Sequence, residues 1–276
     1  MNALETTAPA FSLEDVRQEY RRGAESLCGI TLDIAQGEHV AIVGANGSGK
    51  STLLKALDGL VFCSAGSIRA FGRELTEDSL QEPEHRREFR SRVGFVFQDA
   101  DVQLFCSNVA DELAFGPLQL GHGETEVRER VNEVAHGLRL EKLLDRAPYT
   151  LSGGEKKRVS IGAVLTMRPD VLLMDEPTNA LDPRSQVWLL EILAEMKRDG
   201  RTVVIATHDL SAAEESCDRM VVLSEEHVVV ADGTPDEVLS ERDLLLKVNL
   251  IHEHSHRHEA ETHKHPHGHG QVHTHV

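Results

Sequence analysis

Five short apolar runs, at 39–44 (HVAIVG), 93–97 (VGFVF), 171–174 (VLLM), 202–207 (TVVIAT) and 220–223 (MVVL), punctuate the chain, and they are rich in β-branched residues. Continuous rather than alternating apolar character predicts strands covered on both faces, which points to a mainly parallel sheet flanked by helices. Elsewhere the pattern differs. Ile30, Leu32 and Ile34 alternate strictly and residues 67–75 read as a further strand, so an antiparallel layer is expected beside the core. Leu53, Leu54, Ala56, Leu57 and Leu60 recur at helical spacing directly after the run at 39–44, which predicts strand, glycine-rich turn, helix. Residues 108–165, with VRERVNEVAHGL and EKKRVSIGAVL, predict an inserted helical subdomain. Past residue 251 the apolar pattern stops. Ten of the 16 histidines fall between His252 and His275 among almost no large apolar side chains, so 252–276 is expected to be an unstructured tail on a domain of residues 1–251.

Composition changes the class of partner more than the fold. A chain of 276 residues with 40% hydrophobic and 27% charged positions is ordinary for a globular protein. Its net charge of −17 repels polyphosphate backbones and anionic lipid surfaces, so nucleic acid is not an expected partner. The apolar runs fall far short of the ~20 residues a membrane span needs, and the opening MNALETTAPAFSLED lacks the basic end and apolar stretch of a signal peptide. Cys28, Cys63, Cys106 and Cys217 are scattered without a CxxC pair, which fits reduced thiols in a cytosolic chain.

Chemistry concentrates at the ends of the predicted strands. Gly44, Ala45, Asn46, Gly47, Ser48, Gly49, Lys50 and Ser51 satisfy GxxxxGK[ST] between a strand and a helix, the context that the motif requires. The glycines let backbone amides close around phosphate oxygens, Lys50 can reach the β- and γ-phosphates, and the Ser51 hydroxyl can bind Mg²⁺. Thr52, next in the helix, is counted with the same site. Asp175 and Glu176 follow the run at 171–174, so that one carboxylate can hold the Mg²⁺ shell while the other orients an attacking water. An ordinary acidic loop would carry the same pair. His208 follows the run at 202–207 at the same sheet edge, where ligands collect in open α/β sheets, although a lone strand-end histidine also serves structure. In Leu151-Ser152-Gly153-Gly154-Glu155, Ser152 and Glu155 form a capping box. The two glycines cost helix stability of ~1 kcal/mol each, which a cap does not require, so bare amides at a positive helix end read as a second phosphate site.

In this order the P-loop, Gln98, LSGGE, VLLMDEP, Asn179-Ala180-Leu181-Asp182 and His208 resemble the nucleotide-binding subunit of the ATP-binding cassette (ABC) family over about residues 10–245. The resemblance implies a P-loop NTPase α/β fold with a mainly parallel core sheet, an antiparallel β layer and an inserted helical subdomain. It also implies ATP hydrolysis with Mg²⁺, in which Tyr20 stacks on adenine and Gln98 senses Mg²⁺ and the γ-phosphate. Glu176 would be the base, His208 would contact the γ-phosphate, and Ser51 and Asp175 would serve the metal. Ser152, Gly153 and Gly154 would act in trans on ATP held by a second ATPase subunit, as a homodimer in preference to a heterodimer. Membrane-integral transporter subunits are the other implied partners, holding the chain at the cytoplasmic face of the membrane. Glu155 stands where Gln is common in the family, and Asn179 where small residues are common.

Two features narrow the resemblance. VFQDADVQLF (96–105) followed by ELAFGP (112–117) looks like the segment after the glutamine loop of energy-coupling-factor importers, and the histidine-rich tail is similar to extensions on some nickel and cobalt members. Import of nickel or cobalt is the implied function, with vitamin import the alternative. His252, His254, His256, His258, His263, His265, His267, His269, His273 and His275 supply borderline-soft ligands, with affinity favouring Ni²⁺ over Co²⁺ and Zn²⁺ also competent. A nickel-insertion GTPase would also join a P-loop to histidine runs, but the chain has no [NT]KxD guanine-reading motif and LSGGE has no place there. An ABC protein of DNA repair or translation fits poorly with the −17 charge, the single P-loop and the lack of a long coiled-coil insertion between Lys50 and Ser152.

Overall fold

The computed structural model describes residues 8–21, 24–179, 181–258 and 261–268. A long hairpin, β1 (Phe11–Arg21) and β2 (Ala24–Ile34), opens the chain, which then enters the core through β3 (His39–Gly44) and α1 (Lys50–Leu57). It leaves again for β4 (Ala65–Ala70) and β5 (Arg73–Glu74), passes α2 (Glu77–Gln81) and α3 (Pro83–Arg92), and returns on β6 (Val93–Val96). A helical block follows: α4 (Ala100–Gln103), α5 (Val109–Gln119), α6 (Glu124–Gly137) and α7 (Gly153–Leu165). Strands and helices then alternate through β7 (Val171–Asp175), α8 (Pro183–Arg198), β8 (Thr202–Thr207), α9 (Leu210–Ser216) and β9 (Arg219–Leu223). The body ends with β10 (Val229–Gly233), α10 (Pro235–Ser240) and α11 (Arg242–Lys247).

The central sheet runs β10-β9-β3-β8-β7-β6. All of its pairings are parallel except that of β10 with β9. The five apolar runs are its five parallel strands, and packing explains their lack of alternation. Val40 and Ile42 of β3 share one core with Leu173, Val204 and the α1 residues Leu53, Leu54 and Leu57. Ala41 and Val43, the intervening residues, share the other core with Leu172, Met174, Val203 and the helical-block residues Leu113 and Ile161. Because both faces are covered, both register positions inside these strands carry apolar side chains, and the buried polar ones, His39, Asp175, Thr202 and Thr207, stand at strand ends.

The second sheet, β2-β1-β4-β5, is antiparallel and covers the α1 side with Leu13, Ile30 and Ile34. The stretch 67–75, expected as one strand, is broken by a turn at Phe71 (φ 51°) and Gly72 (φ 80°), where the left-handed backbone is free of strain at the glycine but not at the phenylalanine. At the other end of the chain, β11 (Ile251–His258) and β12 (Glu261–Gly268) pair as an antiparallel ladder. The described part of the segment 252–276, expected as an unstructured tail, falls mostly within this ladder. Alternating histidines lack the bulk for a core, but the alternation is itself the period-two pattern of a strand. His269, His273 and His275 lie outside the described residues. Among the described residues, no helix is long and apolar enough to cross a membrane.

Charge fastens α1 to α3. Asp58, at the C-terminal end of α1, is 4% exposed, and Arg90 donates to its carboxylate at 2.9 Å and to its backbone carbonyl at 2.8 Å. Burial pushes the Asp58 carboxyl up from 3.8 to about 6, with Arg90 opposing the shift only in part. The folded chain therefore resists an ionisation that the unfolded chain undergoes near pH 3.8, so stability at this site is full below that pH and is lost as pH rises to about 6. Asp58→Asn removes the titration. Urea unfolding is expected to show the variant gaining about 2 kcal/mol on the parent between pH 4.5 and 7.5, and a difference independent of pH contradicts this account.

Candidate active site at the C-terminal edge of the central sheet

The turn from β3 to α1 is shaped by glycine. Gly47 (φ 87°) and Gly49 (φ 103°) are left-handed, and a Cβ on Gly49 would stand 2.3 Å from the Ser26 carbonyl of β2. Gly49 is the N-cap of α1 and offers no capping side chain, so the amides of Lys50 and Ser51 at the start of the helix suit an anion. Ser48 is fully buried, and its hydroxyl lacks a hydrogen-bond partner among the described residues. Lys50, 5% exposed, folds back to donate to the carbonyls of Gly44 (2.8 Å) and Ala45 (3.0 Å), with its ammonium 3.9 Å from Glu176. Burial lowers the Lys50 pKa against the pull of Glu176 and Asp175.

The two carboxylates take different surroundings, although they are adjacent in sequence. Asp175 ends β7 and accepts a hydrogen bond from Ser51 at 2.9 Å. Burial raises its pKa, the Ser51 bond opposes this, and the Glu176 charge adds to the rise. Glu176 takes a left-handed φ of 43° and donates its amide to the Ala206 carbonyl at 2.8 Å. Thr207 donates to Glu176 Oε2 at 3.1 Å, and His208 Nδ1 stands 2.9 Å from Oε1.

These groups open onto a cleft of about 450 Å³ lined by Asn46, Gly47, Gly49, Lys50, Ser51, Thr52, Gln98 and Glu176, with Glu25 and Ser26 of β2 in the opposite wall. Tyr20 belongs to β1, the strand paired with that wall. The site suits a nucleoside triphosphate: bare helix-end amides and a buried ammonium for the phosphates, and a hydroxyl–carboxylate pair as hard oxygen donors for Mg²⁺. Among the described residues, no group of three or more His, Cys, Asp and Glu could hold a metal ion. Phosphate and water oxygens would therefore complete the Mg²⁺ shell at Ser51 and Asp175.

Ser152, Gly153 and Gly154 are not brought into this cleft. Ser152 caps α7, accepting from the Glu155 amide at 3.4 Å, while Glu155 Oε2 accepts the Ser152 amide at 2.8 Å. A Cβ on Gly153 would meet nothing within 4 Å, and one on Gly154 only the Ser185 hydroxyl at 3.8 Å. Neither glycine is demanded by packing within this chain.

Motif reading passed over three groups. Thr207 reaches Glu176 only because β7 and β8 lie side by side. Gln103 accepts the Phe97 amide at 3.1 Å and donates to the Ser160 carbonyl at 2.8 Å. Lys157, 3% exposed, donates to the carbonyls of Phe97 (2.9 Å) and Gln98 (3.2 Å). Burial pushes its pKa down to about 8, offset in part by Asp175, Glu176 and Asp99. One signal was present in the sequence: Lys157 occupies the helical stripe of Ile161 and Val164, where a solvated charge does not belong.

The phosphate loop, the hydroxyl–carboxylate pair and the strand-end glutamate define a P-loop ATPase. The chain belongs to the ABC transporter family, whose model matches residues 27–179. An ABC transporter ATP-binding protein of Caldanaerobacter subterraneus is 50% identical over 241 residues, covering 87% of this chain and 98% of that one. The nickel import ATP-binding protein NikO of Rhodobacter capsulatus is 47% identical, covering 88% and 96%. The energy-coupling factor transporter ATP-binding protein EcfA of Methanothermobacter thermautotrophicus is 39% identical, covering 87% and 76%. Among solved structures, CbiO1 of Clostridium perfringens, part of the cbiONQ ABC transporter complex, superposes with a TM-score of 0.74 at 36% identity, covering 88% of this chain and 95% of that one. A dimeric ATP-binding cassette bound to ADP and Pi gives 0.74 at 28% identity, covering 82% and 98%.

Proposed function

We propose that this chain is the ATP-hydrolysing subunit of an energy-coupling-factor type importer for a transition-metal ion, nickel or cobalt. It would work as a homodimer docked on membrane-integral subunits at the cytoplasmic face. The observation that carries the ATPase mechanism is the convergence of Lys50, Ser51, Asp175, Glu176 and Gln98 on one cleft. Lys50 and the α1 amides would grip the β- and γ-phosphates, and Tyr20 would stack on adenine. Ser51, Asp175 and Gln98 would hold Mg²⁺, which supplies charge neutralisation between the phosphates. Glu176, anchored by Thr207 and His208, would accept the proton of the attacking water. With Nδ1 against Glu176, contact between His208 and the γ-phosphate falls to Nε2.

The dimer is supported by the exposed end of α7. Gly153 and Gly154 have no steric reason within the chain, but a close external approach of phosphate to bare amides would supply one. Membrane docking is supported by an apolar groove of about 370 Å³ lined by Leu60, Phe95, Phe105, Phe115 and Met167. Phe105 and Leu60 are 65% and 47% exposed there, on a chain that carries a net −17. Metal as cargo is supported by the likeness to NikO and CbiO1 and by the tail. Its ladder places His252 opposite His267, His254 opposite His265, and His256 opposite His263.

Glu176→Gln keeps size and shape but cannot accept a proton. It is expected to lower turnover ~10²- to 10⁴-fold, about 3 to 5 kcal/mol in the barrier, and to trap an ATP-bound dimer. Lys50→Ala should instead weaken ATP binding and give no dimer. Size-exclusion chromatography with saturating ATP, alongside phosphate release, tests both; Glu176→Gln turning over within threefold of the parent contradicts the assignment.

Deleting 252–276 is expected to remove most Ni²⁺ or Co²⁺ binding while ATP hydrolysis stays within about twofold. Binding by the full chain should weaken below about pH 6.5, where imidazole protonates. Calorimetry giving equal metal stoichiometry before and after the deletion refutes the tail's role.

A further inference from the structure

Three polar cross-links join α7 to the segment 97–103 that follows β6. Lys157 reaches the Phe97 and Gln98 carbonyls, Gln103 bridges the Phe97 amide and the Ser160 carbonyl, and Lys156 meets Asp101 at 2.5 Å. The Lys156 pair is partly exposed, and such pairs hold little. Lys157 is different. Strand β6 ends at Val96, so the next two carbonyls leave the sheet ladder, and the buried ammonium satisfies both from the opposite element. One helical turn earlier on the same helix stand Ser152, Gly153 and Gly154.

We infer that Lys157 is a positioning residue for ATP hydrolysis: its ammonium holds the backbone at Gln98 in register with the Ser152–Gly154 turn, without itself touching nucleotide. The inference rests on the reading of Gln98 as a ligand of the reacting site. A Gln98 side chain placed by a strap to α7 responds to any displacement of that helix, so closure of the Ser152–Gly154 turn over a partner's ATP and the placing of Gln98 become one event. An amide or thioether at 157 would leave one or both carbonyls buried without a donor.

The test uses the full chain and four variants, Lys157→Met, Lys157→Arg, Gln98→Ala and the double variant Gln98→Ala/Lys157→Met. Lys157→Met is expected to lower kcat at least about tenfold while the affinity of the single chain for a fluorescent ATP analogue stays within about threefold. Amide hydrogen exchange over 97–101 in the nucleotide-free chain should quicken, and Lys157→Arg should restore kcat to within about threefold. In the Gln98→Ala background, Lys157→Met should cost less than about twofold, because the residue it positions is already gone. Equal fold-losses in both backgrounds, or an unchanged kcat in Lys157→Met, overturn the inference. Gln98→Ala with parental turnover overturns the reading of Gln98 itself, and the strap with it. Should Lys157→Met fail to fold, Lys157→Gln, a shorter donor, carries the same comparison.

Discussion

Lys50, Asp175 and Glu176 are held at 5%, 4% and 5% exposure on one edge of a sheet that is itself covered on both faces. Withdrawing three charges from water is costly, and mutual attraction in a cluster of one cation and two anions offsets only part of it. The shifts follow from this: burial disfavours the charged form of Lys50 and of Asp175 alike. A triphosphate with its dication would relieve both, meeting the ammonium with oxyanions and the carboxylate with a metal. The rigid parallel strands hold this arrangement in advance of substrate, so little reorganisation is left for the moment of reaction.

The same preorganisation leaves the site incomplete. On the proposed reading the cleft would grip phosphate from one side, and the turn that starts α7, with open space around Gly153, does not line it. A single chain would then carry two unlike half-sites, one built on the sheet and one on the helical block. The apolar groove between these two parts and the Lys157 strap both lie where motion of one against the other would be felt. On the proposed reading, energy from phosphate contacts would reach a membrane partner through a displacement of helices rather than through any group that touches cargo.

How much of this the sequence disclosed depended on whether partners were near in the chain. The five parallel strands were legible because two-sided burial leaves an unbroken apolar run, and the phosphate loop because its ligands are contiguous. Asp175 and Glu176 are legible as neighbours, but the left-handed backbone at Glu176 and the different partners of the two carboxylates are not. Thr207, Gln103 and Lys157 went unread because each acts on a residue 6 to 60 positions away through pairing that only the fold supplies. The break at Phe71 and Gly72 was missed for a local reason, since one left-handed glycine was read as part of a strand.

Complementation between inactivated chains tests the composite site most directly. Gly153→Asp puts a carboxylate at a helix N-terminus with open space around it, where it suits the helix dipole and should leave folding intact while repelling a partner's phosphates. Alone, it should be as inactive as Lys50→Ala. Mixed in equal amounts, the two variants should regain up to about half of parental ATP hydrolysis, since neither is expected to pair stably with itself and each mixed dimer holds one intact site in two. A mixture no more active than the sum of its parts, with mixed dimers present, would contradict a site shared between chains.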